Sequence, residues 1–220
     1  MKTKYLHTGT YKGDVNIGLF IFATDKYILI PNNSINLNSF GAKQIIASAY
    51  ETELLGLFFA GNSKCLIAPH NIDKDEIENL KLNLPKTTKL HLLETKKNAI
   101  GNLILSNDYI TFLSPVIKHK KQELQDALGT KIYILDIHDK EIISAFFVIT
   151  NKGFLCSNEI DKEYLNYLKE KSNLKGNYGS VNFGSIFVKS GLLANSHNYI
   201  AGAKTTGPET ARIDECLGFI

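Results

Sequence analysis

A short motif recurs along this chain at a nearly fixed interval: an apolar run, a polar turn usually centred on Asn, and a second apolar run. The clearest copies end at Asn62, Asn107, Asn151 and Asn195, which lie 45, 44 and 44 residues apart. They read Leu57-Phe58-Phe59-Ala60-Gly61-Asn62, Leu103-Ile104-Leu105-Ser106-Asn107, Phe147-Val148-Ile149-Thr150-Asn151 and Leu192-Leu193-Ala194-Asn195. A degenerate earlier copy, Phe20-Ile21-Phe22-Ala23-Thr24-Asp25, makes five. Self-similarity at such a period restricts the fold to an array of like units, because one unit of that size cannot bury its apolar face alone.

Each copy reads as a β-hairpin followed by a helix. Asn-centred turns tolerate positive φ and suit tight connections. The second strands are Tyr27–Ile30, Cys65–Ala68, Tyr109–Leu113, Phe154–Cys156 and Tyr199–Ala201, and Pro31, Pro69 and Pro115 mark three strand exits. Asp73 with Glu76, and Thr206 with Pro208 and Glu209, are capping-box patterns. Gln122–Leu128 and Glu159–Lys171 carry apolar residues at helical spacing. Asn32–Phe40 is expected to form only a short helical turn. Gly41, Gly129 and Gly218 follow the last apolar residue of their segments, 88 and 89 residues apart, as left-handed caps require. Further strands are expected at Lys131–Leu135 and Tyr178–Phe183, whereas the chain ends just after Gly218. The missing strand must then come from Thr3–His7, so the termini meet and close a ring. The expected architecture is α/β, one domain of five ββαβ-like repeats at about 1–42, 43–88, 89–132, 133–177 and 178–220, strands inside and helices on the rim.

Composition narrows the function classes. The net charge is +3 and Arg212 is the only arginine. Bidentate guanine readout leans on Arg, so sequence-specific DNA recognition is not expected. No apolar run approaches the roughly 20 residues of a membrane span. The longest, Ile142–Ile149, is broken by Ser144 and suits a buried strand. The N-terminus has no apolar signal core, which suggests a cytoplasmic protein without a membrane partner. Cys65, Cys156 and Cys216 form no CxxC or zinc spacing and read as buried apolar residues. Neither a nucleophilic cysteine with a basic partner nor a histidine cluster is apparent. Asp136-Ile137-His138-Asp139 could place His138 and Asp136 on one strand face as metal ligands, but reads better as a polar loop. Lys118-His119-Lys120-Lys121 reads as a solvated helix start rather than an RNA patch. No catalytic residue, cofactor or metal is expected.

The C-terminal stretch Gly191–Ser196, followed by Thr205-Thr206-Gly207-Pro208-Glu209, Ala211-Arg212-Ile213 and Leu217-Gly218, closely resembles the translation initiation factor 6 family. So do Val15-Asn16-Ile17-Gly18, Gly61-Asn62 with Leu66–His70, and Gly101–Asp108. The resemblance runs from end to end and is archaeal in type. It implies a pentein-type propeller with pseudo-fivefold symmetry, closed by the N-terminal strand, and no catalysis. It further implies a monomer that binds the large ribosomal subunit at its intersubunit face, touching a ribosomal protein and the sarcin–ricin loop of the rRNA. Such binding blocks joining of the small subunit and accompanies large-subunit maturation. The pentein fold also houses guanidine-modifying enzymes with a nucleophilic Cys, the alternative function.

The same resemblance marks a ribosome-binding face at Gly18, Gly56, Leu57, Gly101 and Asn102. Leu57 stands where eukaryotic members carry a basic residue. Other departures are Phe183, where Arg is common, Ser144, where glycine is expected, and Ala49-Tyr50 in place of Ala-Gly. Deleting residues 1–8 is expected to lower the melting temperature far more than loss of an ordinary tail. An unchanged melt overturns the closed ring.

Overall fold

Four of the five inner apolar segments are buried at every residue, which is the pattern of a strand covered on both faces. In the computed structural model, which describes residues 8–33, 35 and 37–220, each becomes the middle strand of a three-stranded sheet. The sheets are Phe22–Ala23, Tyr27–Ile30 and Lys43–Ile46; Ala60–Gly61, Cys65–Pro69 and Lys89–Leu93; Ile104–Ser106, Ile110–Leu113 and Lys131–Ile134; and Phe147–Ile149, Gly153–Ser157 and Lys175–Gly179. In each the first two strands form an antiparallel hairpin, and the third returns parallel to the middle one. The fifth sheet pairs Leu192–Ala194 with Tyr199–Gly202 in the same way, but its parallel strand is Thr8–Gly9 from the other end of the chain. The expected closing residues Thr3–His7 lie outside the described residues, and the pairing that is described begins at Thr8.

The crossover elements follow their sequence signals. Helices span Lys74–Asn83, Lys121–Leu128, Lys162–Ser172 and Gly207–Leu217. Asp73 with Glu76 and Thr206 with Glu209 both form reciprocal capping boxes. The first unit has only the short 3₁₀ turn Asn38–Phe40. Gly41, Gly129 and Gly218 end their elements at φ 65°, 62° and 73°. Three strand expectations need correction. In the first two copies Phe20 and Leu57–Phe58 belong to the helical turns Ile17–Phe20 and Leu55–Phe58, and only Phe22–Ala23 and Ala60–Gly61 are strand. Within Ile142–Ile149, Ile142 is partly exposed, Ile143–Phe146 is a 3₁₀ turn, and only Phe147–Ile149 is strand. In place of Tyr178–Phe183 the strand is Lys175–Gly179. Asn182 and Phe183 beyond it take positive φ, because the Glu209 carboxylate accepts the backbone N–H groups of Phe183 and Gly184 and bends the chain out of the sheet.

The apolar core is divided among five clusters, and each is shared by two successive units. Tyr27 and Leu29 pack with Leu55, Phe59 and Leu66. Cys65 and Ile67 join Ile104 and Leu113. Phe112 packs with Phe147 and Phe154. Val148 and Leu155 join Leu192 and Tyr199. The fifth cluster joins Ile21 and Ile28 of the first unit to Leu193 of the last. No unit therefore has a core of its own.

The hairpin turns are bonded to one another by buried side chains. At the leading position of each turn, Thr24, Asn62, Asn107, Thr150 and Asn195 use the side-chain oxygen to accept two N–H groups of their own turn. The amide nitrogen of each Asn then donates to a neighbouring turn: Asn62 to the Asn107 carbonyl, Asn107 to that of Thr150, and Asn195 to that of Thr24. Asn151 is thus not the equivalent of the other three turn asparagines. Thr150 holds that place, and Asn151 aligns with Asp25, Ser63, Asp108 and Ser196. These next residues form a second series, in which the N–H of Ser63 donates to Asp108 at 2.7 Å, that of Asp108 to Asn151 at 3.0 Å, that of Asn151 to Ser196 at 3.1 Å and that of Ser196 to Asp25 at 2.8 Å. Asn195→Ala is expected to destabilise the protein by roughly 3 kcal/mol, since it strips donors from the Thr24 and Phe40 carbonyls and acceptors from its own turn. Asn195→Thr, the residue type of the first and fourth units, keeps the turn acceptor and should cost about half as much in urea denaturation.

Candidate functional site

Just before each hairpin the chain makes a short turn: Ile17–Phe20, Leu55–Phe58, Ile100–Asn102, Ile143–Phe146 and the segment 187–190. The second residues of the first four are Gly18, Gly56, Gly101 and Ser144, and Lys189 corresponds to them in the fifth unit. The glycines are required by close approach. A Cβ on Gly56 would run into the Gly18 carbonyl, one on Gly101 into the carbonyls of Gly56, Leu57 and Phe59, and one on Gly18 into those of Lys189, Ser190 and Leu192. Each turn therefore seats on the backbone of a neighbouring unit.

This seating assembles the expected site residues. Gly18, Gly56 and Asn102 line one depression of about 330 Å³, together with the apolar side chains of Ile142, Ala145 and Phe187. Asn102 is half-buried, and its side chain makes no hydrogen bond to the described residues. Gly101 lies beneath, its carbonyl accepting from the Lys189 Nζ. Leu57 is half-buried beside Gly56 and does not line the depression. Lys189 escaped sequence reasoning. Its signal was the spacing of Gly18, Gly56, Gly101 and Ser144, which continues to position 189 only once the repeats are aligned.

Two of the loops that lead into these short turns are set by helix caps. The Glu76 carboxylate accepts from Ser48 Oγ and the N–H groups of Tyr50 and Glu51, holding both residues at positive φ. Glu209 does the same for Ser180, Phe183 and Gly184 and also accepts from Thr206. Phe183 is left 82% exposed. Burial alone raises the Glu209 carboxyl, but these donors outweigh it and hold it below the ordinary carboxylate value. The stabilisation is present above the unfolded carboxylate pKa and is lost as pH falls through the lowered value. Ion pairs Lys12–Glu53 at 2.7 Å and Lys97–Glu141 at 3.2 Å bridge loops of successive units in solvent, where they contribute little.

Burial raises the thiols of Cys65 and Cys216 to about 11 and pushes Cys156 up further, so none is poised as a thiolate nucleophile at neutral pH. His138 sits in the tight Ile137–Lys140 loop rather than on a strand, and pairs in solvent with Asp139 at 3.1 Å. Among the described residues no group of three or more His, Cys, Asp or Glu is placed to hold a metal ion, and no helix is long and apolar enough to cross a membrane. Lys118–Lys121 falls where a 3₁₀ turn becomes the Lys121–Leu128 helix, with Lys120 paired to Glu123 at 2.9 Å.

The arrangement defines a surface of close-packed backbone with one polar amide and an apolar margin. Residues 6–216 match the profile of the eIF-6 family, and the chain belongs to that family. It is 32% identical over 214 residues to translation initiation factor 6 of Saccharolobus islandicus, covering 94% of this chain and 96% of the relative. It is 33% identical to that of Saccharolobus solfataricus with the same coverage. It is 30% identical to that of Thermococcus onnurineus, over 93% of this chain and 94% of the relative.

Gly101→Ala is expected to cost about 3 kcal/mol, because the new methyl meets three carbonyl oxygens rather than a yielding side chain. Gly207→Ala, at an open helix start, should change stability by less than about 1 kcal/mol in the same denaturation series.

Proposed function

We propose that the five units close into a pentein-type propeller, and that the protein is a monomeric, cytoplasmic factor that binds the large ribosomal subunit at its intersubunit face. Small-subunit association is then blocked by volume alone, without chemistry. A role in large-subunit maturation follows from the same binding. Membership of the eIF-6 family over residues 6–216 is the observation that carries this proposal. The convergence of Gly18, Gly56 and Asn102 on one depression supports this face as the contact surface. The five shared clusters, the last joining the first unit to the fifth, support the closed propeller.

The face suits close docking. Bare backbone at Gly18 and Gly56 lets a partner approach without side-chain ordering. The partly exposed Phe187 and Ile142 supply apolar area, and the Asn102 amide, which has no side-chain partner among the described residues, supplies a directional contact. The partners in this proposal are a ribosomal protein at the intersubunit face and the neighbouring sarcin–ricin loop. Leu57 would contribute apolar contact in place of the basic group that eukaryotic members carry there.

Co-sedimentation with separated ribosomal subunits tests the proposal. The protein should pellet with the large subunit and not the small one, and should block formation of the joined particle. Asn102→Ser should weaken large-subunit binding by about tenfold while leaving the melting temperature unchanged, as loss of one interfacial hydrogen bond predicts. Equal affinity for both subunits rejects the proposal.

A further inference from the structure

Lys189 takes in the fifth unit the place that glycine or serine takes in the other four. Its backbone and stem are half-exposed in the depression, while its amine is enclosed and donates to the carbonyl of Gly101 in the third unit. Beneath it lies a second cavity of about 100 Å³, which Gly18, Ser144 and Lys189 line together with Asp25 and Asp108 of the hairpin turns. The lysine therefore forms a partition between the cavity and the candidate docking face.

Among the described residues no carboxylate forms an ion pair with it. The turns Ile17–Phe20, Leu55–Phe58, Ile100–Asn102 and Ile143–Phe146, and the strand Leu192–Ala194, carry no ionisable side chain. Among the charged residues at the entries to these turns, Asp14 accepts from Asn16, Glu53 pairs with Lys12 and Glu141 with Lys97, while Lys140 lies over the Phe146 ring. Asp25 and Asp108 accept from Asn151, and also from Ser196 and Ser63 respectively. Burial alone lowers the amine from its ordinary 10.5 to about 7. An unpaired ammonium is costly to enclose, and a four-carbon stem rooted in the depression can carry it to water.

We propose that Lys189 is a proton-linked partition beneath the docking face. The neutral amine stays tucked against Gly101 and leaves the depression open. The ammonium swings outward and fills the depression with positive charge, so that a close-docking partner is disfavoured. The coupling to docking rests on the large-subunit binding proposed above; the two positions of the lysine do not.

The folded protein binds fewer protons than the unfolded chain between pH 7 and 10.5, so stability rises with pH across that window and the penalty is fully present below it. Lysine-selective NMR is expected to show a side chain titrating near pH 7 that is absent from Lys189→Ser and Lys189→Met. The melting temperature of the wild type should rise between pH 7 and 9.5 relative to either variant. Large-subunit binding should weaken towards about tenfold per pH unit below 7 in the wild type only. A Lys189 signal that titrates at the ordinary 10.5 overturns the partition. Titration near 7 with pH-independent binding overturns its coupling to docking. Absence of large-subunit binding at every pH overturns the docking proposal, and the titration then tests the partition by itself.

Discussion

The buried Asn side chain that closes its own turn and donates to a neighbouring turn is the interaction on which the rest of the architecture depends. An isolated buried amide is destabilising, because its donors and acceptors have left water. Asn62 and Asn195 avoid this with four bonds each: two accepted from their own turns, and two donated to carbonyls outside them. Since the donated bonds end on other units, no hairpin is satisfied until its neighbours are in place. The polar network thus enforces the same cooperativity as the apolar clusters, each of which is also split between two units. Threonine at positions 24 and 150 keeps the turn and gives up the donated bond, so the network tolerates a gap without losing the hairpin.

The glycine series is the counterpart of the turn network, on the side of the units that presents the candidate face. The turns bond to one another through side chains, whereas the short segments ahead of the hairpins pack through bare backbone. That packing leaves little material at the face, which explains how a depression forms there, and why a residue with a long side chain in the series has large consequences. In the fifth unit a lysine stem crosses that space and ends on a carbonyl of the third unit. The loops leading into two of these segments are fixed separately, by two helix-capping glutamates that reach past their own caps to hold Tyr50–Glu51 and Phe183–Gly184. One carboxylate serves both helix start and loop shape, which couples the outer helices to the face.

Much of this was legible in the chain because the signals are local. The middle strands, the capping boxes at Asp73 and Thr206 and the glycine caps depend on backbone geometry within a few residues, and they appear where the pattern puts them. Where several geometries satisfy one pattern, legibility fails. An apolar run such as Ile142–Ile149 fits a buried strand or a buried turn followed by a strand, and periodicity cannot separate them. Thr150 and Asn151 are adjacent and both polar, so only the bonds they make show which one closes the turn. The candidate face was legible as single positions at Gly18, Gly56 and Asn102, yet not as one surface, since its residues come from different units.

The sequence by itself determined the number of units, the order of elements within each and the absence of a private core, because these follow from the period, the apolar runs and the caps. Tertiary structure alone decided which residues meet across units: the register of the N-terminal strand on the last hairpin at Thr8–Gly9, the alignment of Asn151 with Asp108, and the descent of Lys189 onto Gly101. The reason is physical. Such contacts join residues far apart in the chain, and their energy is set by burial and by the partners available at that place, neither of which is written in the neighbouring sequence.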